Sequence, residues 1–128
     1  MRPAILTVDD SKSLRLFIAK ALSAFDCETD EASNGFNAFF VIERSRPDLI
    51  LLDVLMPVME GTETLRRLKG APELADIPVI MLTSPADRPV IPELLAMGAA
   101  ATLMKPFTEA ALLEAIQGVL PLKPAGKK

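Results

Sequence analysis

From Asp48 to Pro57 the chain reads Asp-Leu-Ile-Leu-Leu-Asp-Val-Leu-Met-Pro. Its unbroken run of branched apolar residues, Leu49 to Leu52, leaves no polar face to offer to water. A run this short and this apolar reads as a strand covered on both sides, as in a parallel sheet lying between helices. The run ends on Asp53. That places a carboxylate at the strand's C-terminal end, where open α/β sheets keep their chemistry.

The rest of the chain supplies the covering. Ala4 to Val8 is a first apolar run, and Ser11 or Ser13 caps the helix behind it. Leu14, Phe17, Ile18, Ala21, Leu22 and Phe25 then recur at intervals of three and four, the spacing of one helical face, and Lys12, Arg15 and Lys20 take the outward side. Cys27 to Ala32 is polar and weakly patterned, as suits an edge strand. Asn34-Gly35 marks a turn into a second helix lined by Phe36, Phe39, Phe40 and Ile42, with Phe40 or Val41 at its margin. After the central strand, Gly61 opens a short helix with Leu65 and Leu68 inward, which Gly70 and Pro72 stop.

Ile77 to Thr83 is a fourth strand. Pro85, Pro89 and Pro92 follow, and each fixes φ and removes a backbone donor. The next helix, holding Leu94, Leu95 and Met97, is therefore expected to start late, after a long loop. Ala100 to Met104 is a fifth strand, and Thr108 caps a last helix with Leu112, Leu113, Ile116 and Leu120 inward. Residues 1–121 are expected to form the domain, and the basic tail 122–128 to fray. Strand and helix alternating five times predicts an α/β fold, a doubly wound parallel sheet with helices on both faces.

Composition removes several function classes. The 128 residues carry 14 basic and 17 acidic side chains, a net charge of −3, so nothing points to a nucleic-acid surface. The absence of histidine excludes zinc-histidine sites, histidine-based triads and a phosphohistidine carrier within this chain. The single Cys27 fits a small core residue in a reducing compartment. No stretch approaches the roughly 20 apolar residues that span a bilayer. The expectation is a cytoplasmic protein.

Asp9-Asp10, Asp53, Thr83-Ser84 and Lys105 all stand at C-terminal ends of strands, which share one edge in a parallel sheet. Two carboxylates about 4 Å apart repel by roughly 4 kcal/mol at an effective dielectric near 20, so three need protons or a cation. An oxygen-only donor set favours a hard divalent ion, Mg2+ before Zn2+. Mg2+ commonly joins carboxylates to phosphate oxygens, and an ammonium and a hydroxyl suit the remaining oxygens. The residues suggest phosphoryl transfer to Asp53 as nucleophile.

Asp9-Asp10, Asp53 followed by Met56-Pro57 and Gly61, Thr83, and Lys105-Pro106-Phe107 together resemble the receiver domain of bacterial response regulators. The resemblance spans about residues 4 to 120. It implies a flavodoxin-like (βα)5 fold with strand order 2-1-3-4-5. Asp53 would accept a phosphoryl group from a sensor histidine kinase, a phosphotransfer protein or a small phosphodonor. Asp10, Asp53 and the backbone carbonyl of Leu55 would hold Mg2+, and Asp9 would orient a metal-bound water. Thr83 and Lys105 would bind phosphoryl oxygens, and the Lys105-Pro106 bond would be cis. Such a protein catalyses only its own phosphorylation and dephosphorylation. It signals by docking a target protein on the face of the fourth helix, fifth strand and fifth helix, and here a stand-alone receiver is expected.

Three positions depart from the family. Thr102 stands where a switching Phe or Tyr is usual. Leu55 and Pro85 occupy the positions that tune phosphoryl lifetime, and neither side chain can hold an attacking water. The three prolines point to a specialised partner surface between Ala86 and Met97. Two other readings compete. A haloacid-dehalogenase-like phosphatase needs an aspartate where Leu55 stands, and a phosphorylation-independent scaffold would not need the intact acidic set.

Overall fold

The computed structural model describes residues 2–125. Its strands are β1 (Ala4–Val8), β2 (Glu28–Ala32), β3 (Leu49–Asp53), β4 (Val79–Thr83) and β5 (Ala101–Met104). The helices between and after them are α1 (Lys12–Leu22), α2 (Gly35–Arg44), α3 (Gly61–Gly70), α4 (Ile91–Ala96) and α5 (Glu109–Val119). All strand pairs are parallel, in the order β2-β1-β3-β4-β5. This is the doubly wound order expected from the resemblance.

Every residue of β3 and β4 is buried, which explains their unbroken apolar sequences. β2 is exposed along Glu28 to Glu31, the polar edge strand its sequence suggested. The sheet divides the core in two. Leu6, Val8, Ile50, Leu52 and Met81 pack beneath α2 and α3, while Ile5, Leu49, Leu51, Ile80 and Leu82 pack beneath α1 and α5.

Side-chain caps start three helices. Ser11, Asn34 and Thr108 each accept a backbone N–H three residues on, from Leu14, Asn37 and Ala111. Asn34, read from sequence as a turn residue, is the cap of α2. The proline-rich stretch becomes a 3-10 segment over Pro85–Val90 that runs into the short α4. Its start is fixed by Asp87, a buried carboxylate that accepts from both the backbone N–H and the hydroxyl of Ser84.

Three expectations change. The buried line of α2 is Ala38, Val41 and Ile42, with Phe36 and Phe40 about half exposed at 51% and 52%. Phe17 is also exposed on α1, its ring tilted against Phe107 at 6.1 Å. The tail does not fray from Leu122 as expected. Leu122 is buried and its N–H donates to Gln117, the carbonyl of Lys123 accepts from Asp26, and the Ala125 N–H donates to Ala24. Paired backbone groups and a buried leucine hold it against α1 and α5. Residues 126–128 lie outside the described residues.

Candidate functional site at the carboxyl edge of the sheet

Parallel strands bring their C-terminal ends to one edge, so the site follows from register. Val8 lies beside Leu52 and Asp53 beside Leu82, which sets Asp9 and Asp53 on adjacent strand ends. The last rungs of β4 and β5 pair Thr83 with Met104, and the Lys105 N–H donates to the Thr83 carbonyl at 2.6 Å. Sheet pairing therefore carries Lys105 to the carboxylates from two strands away. One oxygen from each of Asp9, Asp10 and Asp53 falls within 4.8 Å of the others.

Asp9 is fully buried. One carboxylate oxygen accepts from the Ser11 N–H at 2.8 Å and the other from Lys105 Nζ at 2.8 Å. Asp53 is 6% exposed and accepts from the same ammonium at 3.0 Å. Asp10 is exposed at the rim. Lys105 precedes a cis peptide bond to Pro106, as the resemblance implied. Three carboxylates face one ammonium, so the cluster keeps excess negative charge. An oxygen-only donor set with that charge suits a hard divalent cation such as Mg2+.

Burial raises the Asp53 pKa from 3.8 to about 6; the Lys105 hydrogen bond opposes this and the Asp9 charge adds to it. For Lys105, burial disfavours the charge, but its hydrogen bonds to Asp9 and Asp53 and their charges outweigh that and raise its pKa. At neutral pH the predominant forms are thus a carboxylate at Asp53 and an ammonium at Lys105. The raised Asp53 pKa also has a stability consequence. A carboxyl that protonates more readily when folded stabilises most at pH below about 4, and that stabilisation is lost as pH rises to about 6. Asp53→Asn, which carries no charge, is expected to unfold with higher free energy than wild type at pH 8 in chelator, by roughly 2–3 kcal/mol. The difference should vanish near pH 4, as chemical denaturation across that range would read.

Thr83 reaches the same edge, but its hydroxyl bonds elsewhere. It donates to the Leu103 carbonyl at 3.5 Å and lies 3.9 Å from Met104 Sδ, with no hydrogen bond to a carboxylate or to Lys105 among the described residues. Thr102, half-buried on β5, pairs with Met81 in register.

The sequence profile of the response regulator receiver domain matches residues 5–117. The chain belongs to that family. It is 35% identical over 123 residues to sporulation initiation phosphotransferase F of Bacillus subtilis, covering 96% of this chain and 98% of that protein. It is 40% identical to the phosphate regulon transcriptional regulatory protein PhoB of Pseudomonas aeruginosa over 91% of this chain, but spans only 51% of that protein. Among solved structures, chemotaxis protein CheY4 of Vibrio cholerae superposes with a TM-score of 0.86 at 33% identity, over 94% of this chain and all of that one. The receiver domain of sensor histidine kinase PA1611 from Pseudomonas aeruginosa, solved with magnesium coordinated in its active-site cleft, gives a TM-score of 0.82 at 28% identity, covering 93% and 98% of the two chains.

Several contacts that build this receiver's site were not anticipated from sequence. Arg15, read as an outward charge, donates from Nη1 to the Asp9 carbonyl at 2.6 Å and pairs with Glu31, tying α1 and β2 to the end of β1. Gly61 packs directly on the end of β3, and a Cβ there would lie 2.0 Å from the Asp53 carbonyl oxygen. Val58 in the loop beyond Asp53 has φ 68°, a costly angle for a β-branched residue. Asp87 left a sequence signal of its own, the Ser-x-x-acid spacing of a helix start.

Proposed function

We propose that Asp53 accepts a phosphoryl group, in a Mg2+-dependent reaction, from a histidine kinase or a phosphotransfer protein. We propose further that the phosphorylated domain acts by binding a target protein. The observation that carries this reading is the convergence of Asp9, Asp10, Asp53 and Lys105 on one sheet edge, with an ionisable, recessed carboxylate at its centre.

A carboxylate oxygen of Asp53 attacks phosphorus, and the bond from phosphorus to the donor's imidazole nitrogen breaks with its electron pair leaving on nitrogen. Asp10, Asp53 and the Leu55 carbonyl would hold Mg2+, with Asp9 orienting a water on it. When bound, the ion neutralises charge on the transferring phosphoryl oxygens. Lys105 donates to a phosphoryl oxygen in place of Asp53 and keeps its hold on Asp9. The Thr83 hydroxyl leaves Leu103 and Met104 to donate to another oxygen. With Thr102 in place of a ring, that movement passes to β5 through Met104 and onward to the face of α4, β5 and α5. Leu95, 46% exposed on α4, is an apolar contact available there.

A small phosphodonor with Mg2+ should add one phosphoryl mass to wild type and none to Asp53→Ala. An unmodified wild-type protein would overturn the reading. The modification should also decay slowly for a receiver. Leu55 is 58% exposed at the mouth of the site and Pro85 stands beyond Thr83, and neither side chain can hydrogen-bond an attacking water. A phosphate-release time course complete within seconds would contradict that.

A further inference from the structure

We infer that the outer face of α2 and α3 is a two-fold interface to a second copy of this chain. Phe36 and Phe40 stand one turn apart on α2, each about half exposed, with their rings edge to face at 5.2 Å. They share a groove of about 230 Å³ with Phe39, Met59, Glu43 and Arg67. A second groove of about 510 Å³ continues it, again bounded by Phe39 and Glu43 and rimmed by Arg46 and Glu73. Helix packing does not require this. The core-facing line of α2 is already filled by Ala38, Val41 and Ile42. Two exposed phenylalanines beside an apolar groove form the kind of patch that marks an interaction site.

Charge identifies the occupant. The grooves are bordered by two acids, Glu43 and Glu73, and two bases, Arg46 and Arg67. A balanced rim attracts neither an acidic nor a basic partner by net sign. It is instead complementary to itself. In a two-fold contact every residue pair occurs twice, so Glu43 of one copy meets Arg67 of the other, and Arg67 of the first meets Glu43 of the second. Antiparallel apposition of α2 on α2 brings Phe36 and Phe40 of one copy against the aromatic groove of the other. The edge-to-face pair then extends into a four-ring cluster, an arrangement aromatic quadrupoles favour. Glu43 has no ion pair among the described residues. Arg67 already pairs through Nε with Glu63 of its own chain at 2.9 Å, so a partner's Glu43 is met by its remaining guanidinium N–H groups.

Sedimentation equilibrium of the unphosphorylated full chain, in a series reaching millimolar concentration, tests this. Wild type is expected to show a monomer–dimer equilibrium. Phe40→Ser should weaken it by about tenfold or more, with circular dichroism confirming an intact fold. Glu43→Arg and Arg67→Glu should each weaken it, and the double exchange should restore it. Leu95→Ser, on the α4 face, should leave it unchanged. A wild-type protein monomeric throughout overturns the inference. So does a dimer indifferent to Phe40→Ser, or one that the double exchange fails to restore. None of these outcomes depends on phosphorylation of Asp53.

Discussion

Replacing Lys105 with methionine should destabilise the protein at pH 8 while strengthening its hold on Mg2+. The ammonium is the shared partner of two recessed carboxylates, at 2.8 Å from Asp9 and 3.0 Å from Asp53. Removing one partner of a buried ion pair leaves uncompensated charge and costs about 3–5 kcal/mol. Asp53 limits that cost by taking up a proton, so the loss should shrink markedly below pH 6, where its raised pKa already lies. The metal should respond in the opposite sense. Lys105 places positive charge beside the same carboxylates that would bind the ion, so its removal lifts a repulsion. Mg2+ should therefore raise the melting temperature of Lys105→Met more than that of wild type. Phosphorylation should nevertheless slow by about 10²-fold or more, the usual cost of removing one donor to a developing oxyanion. Thermal denaturation with and without Mg2+, beside a phosphorylation time course, separates the electrostatic and chemical roles. Equal Mg2+ responses would show that the ammonium and the ion do not share these carboxylates.

Gly61→Ala should damage stability and site together. A methyl group there would lie 2.0 Å from the Asp53 carbonyl oxygen and 2.9 Å from the Asp53 carbonyl carbon and Val54 Cα. These are backbone atoms, so no rotamer change relieves the overlap, and the Gly61 N–H to Val54 carbonyl bond at 2.7 Å resists separation. The end of β3 must shift, at a cost of about 1–3 kcal/mol or more. That shift moves the Asp53 side chain and the Leu55 carbonyl out of register with Asp10 and Lys105, so Mg2+ should bind more weakly. Gly118→Ala provides the contrast. Nothing lies within 4 Å of its added Cβ, and within α5 it should stabilise by about 0.5–1 kcal/mol. If Gly61→Ala bound Mg2+ as wild type does, tight packing on β3 would not be what positions Asp53.

The sequence was most legible where burial leaves no choice. β3 and β4 are covered on both faces, so their apolar runs marked them, and the polar residues ending them fell on the edge where the chemistry gathers. Asp53 was found this way, and Asp9 and Lys105, which follow β1 and β5, meet it there. Amphipathic helices were less certain. On α2 the expected line of Phe36, Phe39, Phe40 and Ile42 held in part: Ile42 is buried and Phe39 packs on the core, but Ala38 and Val41 take the inward places expected for Phe36 and Phe40. Close approach to the sheet selected the smaller set, with Ala38 1% exposed.

Contacts that depend on backbone carbonyls left no trace in sequence. Arg15 looked like any outward charge until the Asp9 carbonyl was seen to lie within its reach. Gly61 looked like a helix start, and its closeness to Asp53 arises only when the loop folds back. The Thr83 hydroxyl was expected to serve the phosphoryl group, and its present bonds to Leu103 and Met104 depend on a rotamer that sequence does not specify.

The central claim is that Asp53 receives a phosphoryl group in a site completed by Mg2+ and Lys105. Beryllium fluoride, which mimics a phosphoryl group on a carboxylate, tests it without a kinase. Two-dimensional amide NMR of wild type with Mg2+ and beryllium fluoride should show saturable shifts at Asp53, Thr83 and Lys105, extending along β5 through Met104. Those shifts should be absent without Mg2+ and absent in Asp53→Asn. Wild-type spectra unchanged by the mimic, or shifts that persist in Asp53→Asn, would contradict the claim.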